Sequence, residues 1–262
     1  MSATLLIGVD YSAQEGKVGL AAGRLDGDSL KVEFAKCPGT RADVEKQVIA
    51  WINEEKKNGG VLLAIDAPLG WPKSLSKSLC WHKAGRALST PADRMFMRET
   101  DRQVCKAIDK TPLKVGADKI AIQAHSALSF LNNLRNETGR AIPLAWKPGC
   151  VKGVSAIEVY PAATLKERGF PFEGYKKDTE QTENVRADII ERLRLESEME
   201  LHENIKDEMR NNDDVLDAVV CVLAAADFAK GNVISPEEAE SDGVKIGLRR
   251  AKKEGWIWVR KP

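Results

Sequence analysis

No two of the five cysteines (Cys37, Cys80, Cys105, Cys150 and Cys221) form a Cys-x-x-Cys pair, and their number is odd. That argues against a disulfide framework and a zinc ribbon, and it fits a reducing cytoplasm. Histidine is scarce: His82, His125 and His202 stand without metal-ligand spacing, and Cys80-Trp81-His82 is too short a signal for nucleophilic catalysis. Long apolar runs are missing as well. The longest, 218–226, is far too short to span a bilayer, and no basic-then-apolar leader precedes the first apolar stretch, so no membrane partner is expected. The chain has no Gly-x-x-x-x-Gly-Lys-Ser/Thr, no Gly-x-Gly-x-x-Gly and no Gly-x-Ser-x-Gly. P-loop NTPases, dinucleotide enzymes and serine hydrolases are thereby set aside. Net charge is nearly absent too, at +1, which excludes a generally basic nucleic-acid coat. The balance hides an asymmetry: residues 71–119 hold 11 Lys/Arg against 5 Asp/Glu, a net of +6, and residues 176–217 hold 7 against 14, a net of −7. The first segment is suited to attract polyanions, whereas the second is a solvated helix face or part of a metal site.

What is present is an ordinary globular composition, 43% hydrophobic and 30% charged over 262 residues, enough for one large domain spanning 1–262. Residues 4–9, 17–22 and 30–35 read as three short strands, with Gly16 and the Asp26-Gly27-Asp28 turn between them: an antiparallel meander. A helix is predicted over 42–57, with Val44, Val48, Trp51 and Ile52 on one stripe and Asn58-Gly59-Gly60 ending it. Residues 61–65 follow as a buried strand parallel to the first, because a helical crossover joins them. Proline-divided helical sequence over about 70–150 reads as an insertion above the sheet end. Residues 154–160 form the fifth strand, helices are predicted near 182–197 and 214–230, and the tail GWIWV is an edge strand or a strap. The fold class is α/β, a mixed five-stranded sheet of three antiparallel strands extended by parallel ones and flanked by helices.

Four distant segments end or open an apolar stretch with a carboxylate: Asp10 after LLIGV, Asp66 after GVLLAI, Glu158 after GVSAI, and Asp214 with Asp217 at the start of DDVLDAVVCVLAAA. Two carboxylates about 4 Å apart repel by roughly 4 kcal/mol at an effective dielectric near 20. A divalent cation turns that repulsion into a ligand shell, and oxygen-only donors suit magnesium or manganese. The chemistry suggested is metal-assisted phosphoryl transfer. Each acid also has a simpler reading: Asp10 and Asp66 as turn residues, Asp214 as an N-cap with Asp217 in the first turn. Capping does not explain why acids recur at strand tips, nor why Asp217 adjoins an apolar run.

Arg94, Arg98 and Arg102 recur every four residues, with Arg86 eight residues before Arg94. Such a column on one helix face either binds successive phosphates or is a solvated face paired with Asp93, Glu99 and Asp101. Aromatics make up only 6% of the chain, so Trp71, Trp81 and Trp146 stand out, either as base-stacking platforms or as packing.

The motifs GVD, AIDAPLGWP, RETDR, EVYPAATLK and DDVLDAVVCVLAA, in this order, resemble the domain of unknown function 429 family, described as predicted nucleases of ribonuclease H-like fold. The resemblance covers nearly the whole chain. Within the wider superfamily the pattern is most similar to Holliday-junction resolvases, which use a first-strand Asp, an acid ending the fourth strand and an Asp-x-x-Asp pair on the last helix. Carried over by motif, it implies a metal-dependent nuclease that hydrolyses DNA or RNA by a two-metal mechanism. Mg²⁺ or Mn²⁺ would be held by Asp10, Asp66, Asp214 and Asp217, with Glu158 of the EVYP motif as a further catalytic candidate; the substrate contacts, Arg86, Arg94, Arg98 and Arg102, are expected from their spacing and not from the resemblance. The large insertion departs from the compact resolvase pattern, so junction specificity is not carried over. Two other readings stay open: a non-catalytic nucleic-acid or partner-binding module, and an actin-like sugar kinase, which normally needs two copies of the fold.

Overall fold

The computed structural model describes residues 3–55, 59–108, 112–116, 118–177, 179–241 and 244–262. The chain opens with β1 (Thr4–Asp10), β2 (Gly19–Asp26) and β3 (Ser29–Lys36), the expected meander. Helix α1 (Arg41–Glu54) follows; the Thr40 hydroxyl caps it by accepting the Asp43 N–H. It ends sooner than the predicted 42–57, and Lys57 and Asn58 lie outside the described residues. Next come β4 (Val61–Ile65) and four helices: α2 (Lys73–Leu79), α3 (Ala92–Phe96), α4 (Glu99–Ile108) and α5 (Asp118–Thr138). The second half holds β5 (Val154–Glu158), α6 (Pro161–Lys166), α7 (Glu180–Glu196), β6 (Met199–Glu200), α8 (Glu203–Asn211) and α9 (Asp213–Lys230). A short ribbon of β7 (Glu240–Ser241) and β8 (Val244–Lys245) precedes α10 (Leu248–Glu254).

The main sheet has the order β5-β4-β1-β2-β3-β6. Only β2 runs against the others: β1 pairs parallel with β4, β4 with β5, and β3 with β6. The sheet therefore has six strands rather than the five expected. The additional one, β6, contributes two residues opposite Leu30 and Lys31, too few to leave a periodic pattern.

Two apolar layers enclose the sheet. On one side Leu5, Ile7, Val9, Leu63 and Ile65 pack against α1 and against Ala127, Phe130, Leu131 and Leu134 of α5. Within the stretch 70–150, read from the sequence as a helical insertion, α5 packs its apolar side on this face of the sheet. On the other side Leu6, Ala21, Leu62, Ala64 and Ile157 meet α7, α8 and α9. Helix α9 is apolar all round and buried from Val215 to Phe228, as a central helix must be. The tail runs as a strap beside β5, with the Trp258 N–H donating to the Glu158 carbonyl at 3.0 Å. Among the described residues no helix is long and apolar enough to cross a membrane.

Candidate functional site

Side chains alternate across a strand, so Asp10 shares the face of Leu6 and Gly8, and Asp66, just past β4, shares that of Leu62 and Ala64. Both acids therefore look toward α9 from neighbouring strand ends, where the Asp66 N–H donates to the Val9 carbonyl at 2.9 Å. Two glycines bring α9 to them. A Cβ on Gly8 would stand 2.0 Å from the Ala218 carbonyl oxygen, and one on Gly19, the register partner of Asp10, 1.9 Å from that of Asp214. No other side chain fits at such range, so the helix rests directly on bare backbone. Asn212 caps α9 by accepting the N–H groups of Asp214 and Val215; Asp214 is a first-turn residue and not the cap. Asp217, one turn in, is wholly buried against the strand tips.

The acids meet around a cleft of about 470 Å³ lined by Asp10, Asp66, Asp214, Lys176, Tyr160 and Gln123, among others. A second hollow of about 270 Å³ reaches Asp66 and Asp217 from the side of Tyr175 and Lys176. The Tyr175 hydroxyl donates to Asp217 Oδ1 at 2.8 Å, and Lys176 Nζ lies 2.6 Å from Oδ2 as an ion pair. Burial, then the charges of Asp217 and Asp66, hold the Asp10 carboxyl well above the usual carboxylate range. Burial and Asp217 push Asp66 up to about 7. Burial raises Asp217 and Asp214 as well, against the pull of Lys176. The Lys176 side chain is 57% exposed, and the charges of Asp217 and Asp10 raise its ammonium above the ordinary range, so it stays charged. The Cys37 thiol, pushed up to about 11 by burial and Asp214, and the buried Cys221 thiol are kept protonated, so neither is a nucleophile.

This donor set tests whether a divalent ion fits. Among the described residues no three Asp, Glu, His or Cys groups are placed to hold one ion as the side chains stand. The composition of the site nonetheless favours a hard cation. No hydrogen bond reaches the Asp10 or Asp66 carboxylate among the described residues, the buried Asp217 Oδ2 has no aligned donor, and one ammonium faces three raised carboxyls.

The sequence profile of a family described as "Protein of unknown function (DUF429)" matches residues 8–241. The chain belongs to this family. No curated protein matches the chain at a significant level. The matched span contains Asp10, Asp66, Glu158, Asp214 and Asp217, so the acids at the cleft all lie within the DUF429 match, and Ile257 of the strap adds to the wall from outside it.

Glu158 is placed differently from the other acids of this DUF429 chain. It stands opposite Ile65 in the β4–β5 register and shares its face with Ala156, on the α1/α5 side. Its oxygens are taken: Arg98 donates through Nη1 at 2.9 Å and Nη2 at 2.6 Å, and the Leu69 N–H donates at 3.0 Å. Arg98 is also held by Asp101, from Nη2 to Oδ1 at 2.8 Å, and both residues are buried. This clamp fixes the start of α4 to the sheet edge, and removing one partner of such a buried pair costs about 3–5 kcal/mol.

The arginine column is therefore corrected. Arg86 lies in a loop, Arg94 in α3 and Arg102 in α4, while Met97 and Arg98 break the helix between them. Arg98 is closed inside the protein, and Arg102 donates to the carbonyls of Met97 and Asp93. Arg94 pairs with Glu99 at 3.8 Å. Only Arg86 of the four stands fully exposed on a loop. Trp146 packs on Trp258 at 6.4 Å between ring centroids, which makes it a packing residue. Lys176 and Tyr175 escaped the sequence reading, since they sit in a loop after Gly174 with no periodicity or motif to mark them.

Proposed function

We propose that this DUF429 protein is a divalent-metal-dependent nuclease on a ribonuclease H-like fold, hydrolysing phosphodiester bonds of nucleic acid by a two-metal mechanism. The observation that carries the reading is that Asp10 and Asp66, from β1 and β4, line one cleft, while Asp217 of α9 adjoins Asp66 in the hollow beside it and pairs with Lys176, which lines both. A meander continued by parallel strands, with an acid-bearing helix laid over the tip of β1, supports the fold assignment.

Asp10, Asp66 and Asp217 would hold Mg²⁺ or Mn²⁺, with Asp214 at the rim. Such ions, when bound, activate a water and stabilise the attacking and leaving oxygens of an in-line displacement. The chain's own groups prepare that chemistry. Tyr175 orients Asp217 through its hydroxyl, and Lys176 offsets one of the buried negative charges. Tyr160, its phenol raised by burial and by Asp66, stays protonated at the cleft wall and is suited to donate to a substrate oxygen. Gln123 donates from α5 to the Tyr11 carbonyl at 2.7 Å and so fixes the loop after Asp10. Glu158 and Arg98 have positioning roles, holding α4 and the wall of the cleft.

A second reading, a nucleic-acid-binding module without catalysis, is favoured by the Lys176–Asp217 pair, which neutralises Asp217 with no ion. Asp10→Asn separates the two. Mn²⁺-dependent cleavage of single- and double-stranded DNA and RNA should fall by about a hundredfold or more. Full cleavage by the variant would sink the proposed mechanism, and metal-independent binding without any cleavage by the wild type would establish the second reading.

A further inference from the structure

Between Asp66 and Asp93 the chain contains no Asp or Glu, although the protein has 39 of them, and it contains Lys73, Lys77, Lys83 and Arg86. The arm starts at the rim of the acidic cleft, since Ala67 and Pro68 line it. The Lys73 N–H is tied to Glu254 Oε1 at 2.8 Å. Helix α2 places Lys73 and Lys77 four residues apart on one side and buries nothing. Residues 79–89 are exposed without interruption, and Trp81 is 89% exposed. The loop is nevertheless braced. Ser78 Oγ donates to Thr90 Oγ1 at 2.7 Å, closing its ends, and His82 Nε2 lies 2.8 Å from the Arg86 carbonyl oxygen. A hollow of about 450 Å³ is framed by Lys77, Trp81, Lys83 and Arg86, none of which has an ion-pair partner among the described residues.

The Trp81 indole stands in a braced loop, framed by the three unpaired cations Lys77, Lys83 and Arg86, and this combination of ring and positive charge selects an anionic, ring-bearing occupant. We propose that α2 and the loop after it form a binding arm for single-stranded nucleic acid, with a base stacked on Trp81 and the backbone phosphates held by Lys77, Lys83 and Arg86. An unpaired strand fits because the faces of a base in a duplex are already stacked on its neighbours. The hydroxyls of Ser74, Ser76, Ser89 and Thr90 interrupt the apolar residues, which suits phosphate and sugar better than a lipid surface. The inference rests on the nuclease reading, since it supplies the strand that the acidic cleft would cut and that the cleft's own negative charge repels.

The test is fluorescence anisotropy of labelled oligothymidylate and oligouridylate in chelator, so that binding is read apart from cleavage. Trp81→Ala should weaken binding by about 5- to 150-fold, the range carried by base–aromatic stacking. Lys77→Ala with Lys83→Ala should lower the dependence of log K on log salt by about 1.4, two single-strand phosphate contacts. Affinity and salt slope unchanged in both variants, no binding by the wild type, or capture by anionic vesicles in place of oligonucleotide would each overturn the arm. Because these residues are exposed, the variants should unfold at the wild-type temperature. Binding that fails in the arm variants while Asp10→Asn leaves cleavage intact would keep the arm and discard the metal mechanism. Cleavage that depends on Asp10 but not on Trp81 or the lysines would do the reverse.

Discussion

Asp66 shows in one side chain what the cleft does to an acid. Its folded pKa near 7 exceeds the unfolded value of about 3.9, so between those pH values the folded protein keeps a proton that the unfolded chain has released. Stability therefore falls as pH rises through that window in the absence of divalent ions, and levels off above it. Asp66→Asn should flatten this slope and, in chelator near pH 8, raise stability by about 1–3 kcal/mol, a fraction of the repulsion between close like charges. Urea unfolding at a series of pH values measures it; a wild-type profile no steeper than the variant's would mean that Asp66 is not strained by its charge. The same residue was legible as a site candidate because an acid closing an apolar strand is locally conspicuous. Lys176, which answers it, was not. Its role comes from standing 2.6 Å from Asp217, a residue 41 positions away, and no local spacing encodes that.

Helix α9 and the strands under it depend on glycine for contact more than on any side chain. At Gly19 an added methyl would collide with the Asp214 carbonyl, whereas at Gly27, in the β2–β3 turn, it would meet nothing. Gly19→Ala should then destabilise by about 3 kcal/mol or more, while Gly27→Ala should cost about 1 kcal/mol from its positive φ alone. Chemical denaturation of the two variants compares them. Equal losses would show that α9 has room to lift. Amphipathic α1, the meander and α9 were each readable from their pattern, since periodicity and capping are properties of neighbouring residues. The arginine column was misread for a related reason: regular four-residue spacing implies one face only where the helix is continuous, and the chain breaks at Met97 and Arg98.

Charge is divided across the molecule as a whole, with an acidic cleft at the strand ends and a basic, aromatic arm leaving its rim. If the cleft binds divalent ions, the folded state alone presents the acids together, and Mn²⁺ at a hundred times its dissociation constant should add about 2.7 kcal/mol of stability. Thermal unfolding with Mn²⁺ and with chelator reads this directly. No shift in the wild type, or the same shift in Asp10→Asn, would remove the metal from this site.

Local sequence was sufficient for the element order, for the mixed α/β sheet, and for the recurrence of Asp10, Asp66 and Asp217 beside apolar segments, because these follow from burial and from the periods of strand and helix. Which of those acids face one another required the folded chain. Register turned Glu158 to the opposite face, where a buried guanidinium consumes it, and two missing side chains let α9 bring Asp217 down beside Asp10. The physical reason is that face parity and ion pairing are set where distant segments meet, and neither segment records that meeting by itself.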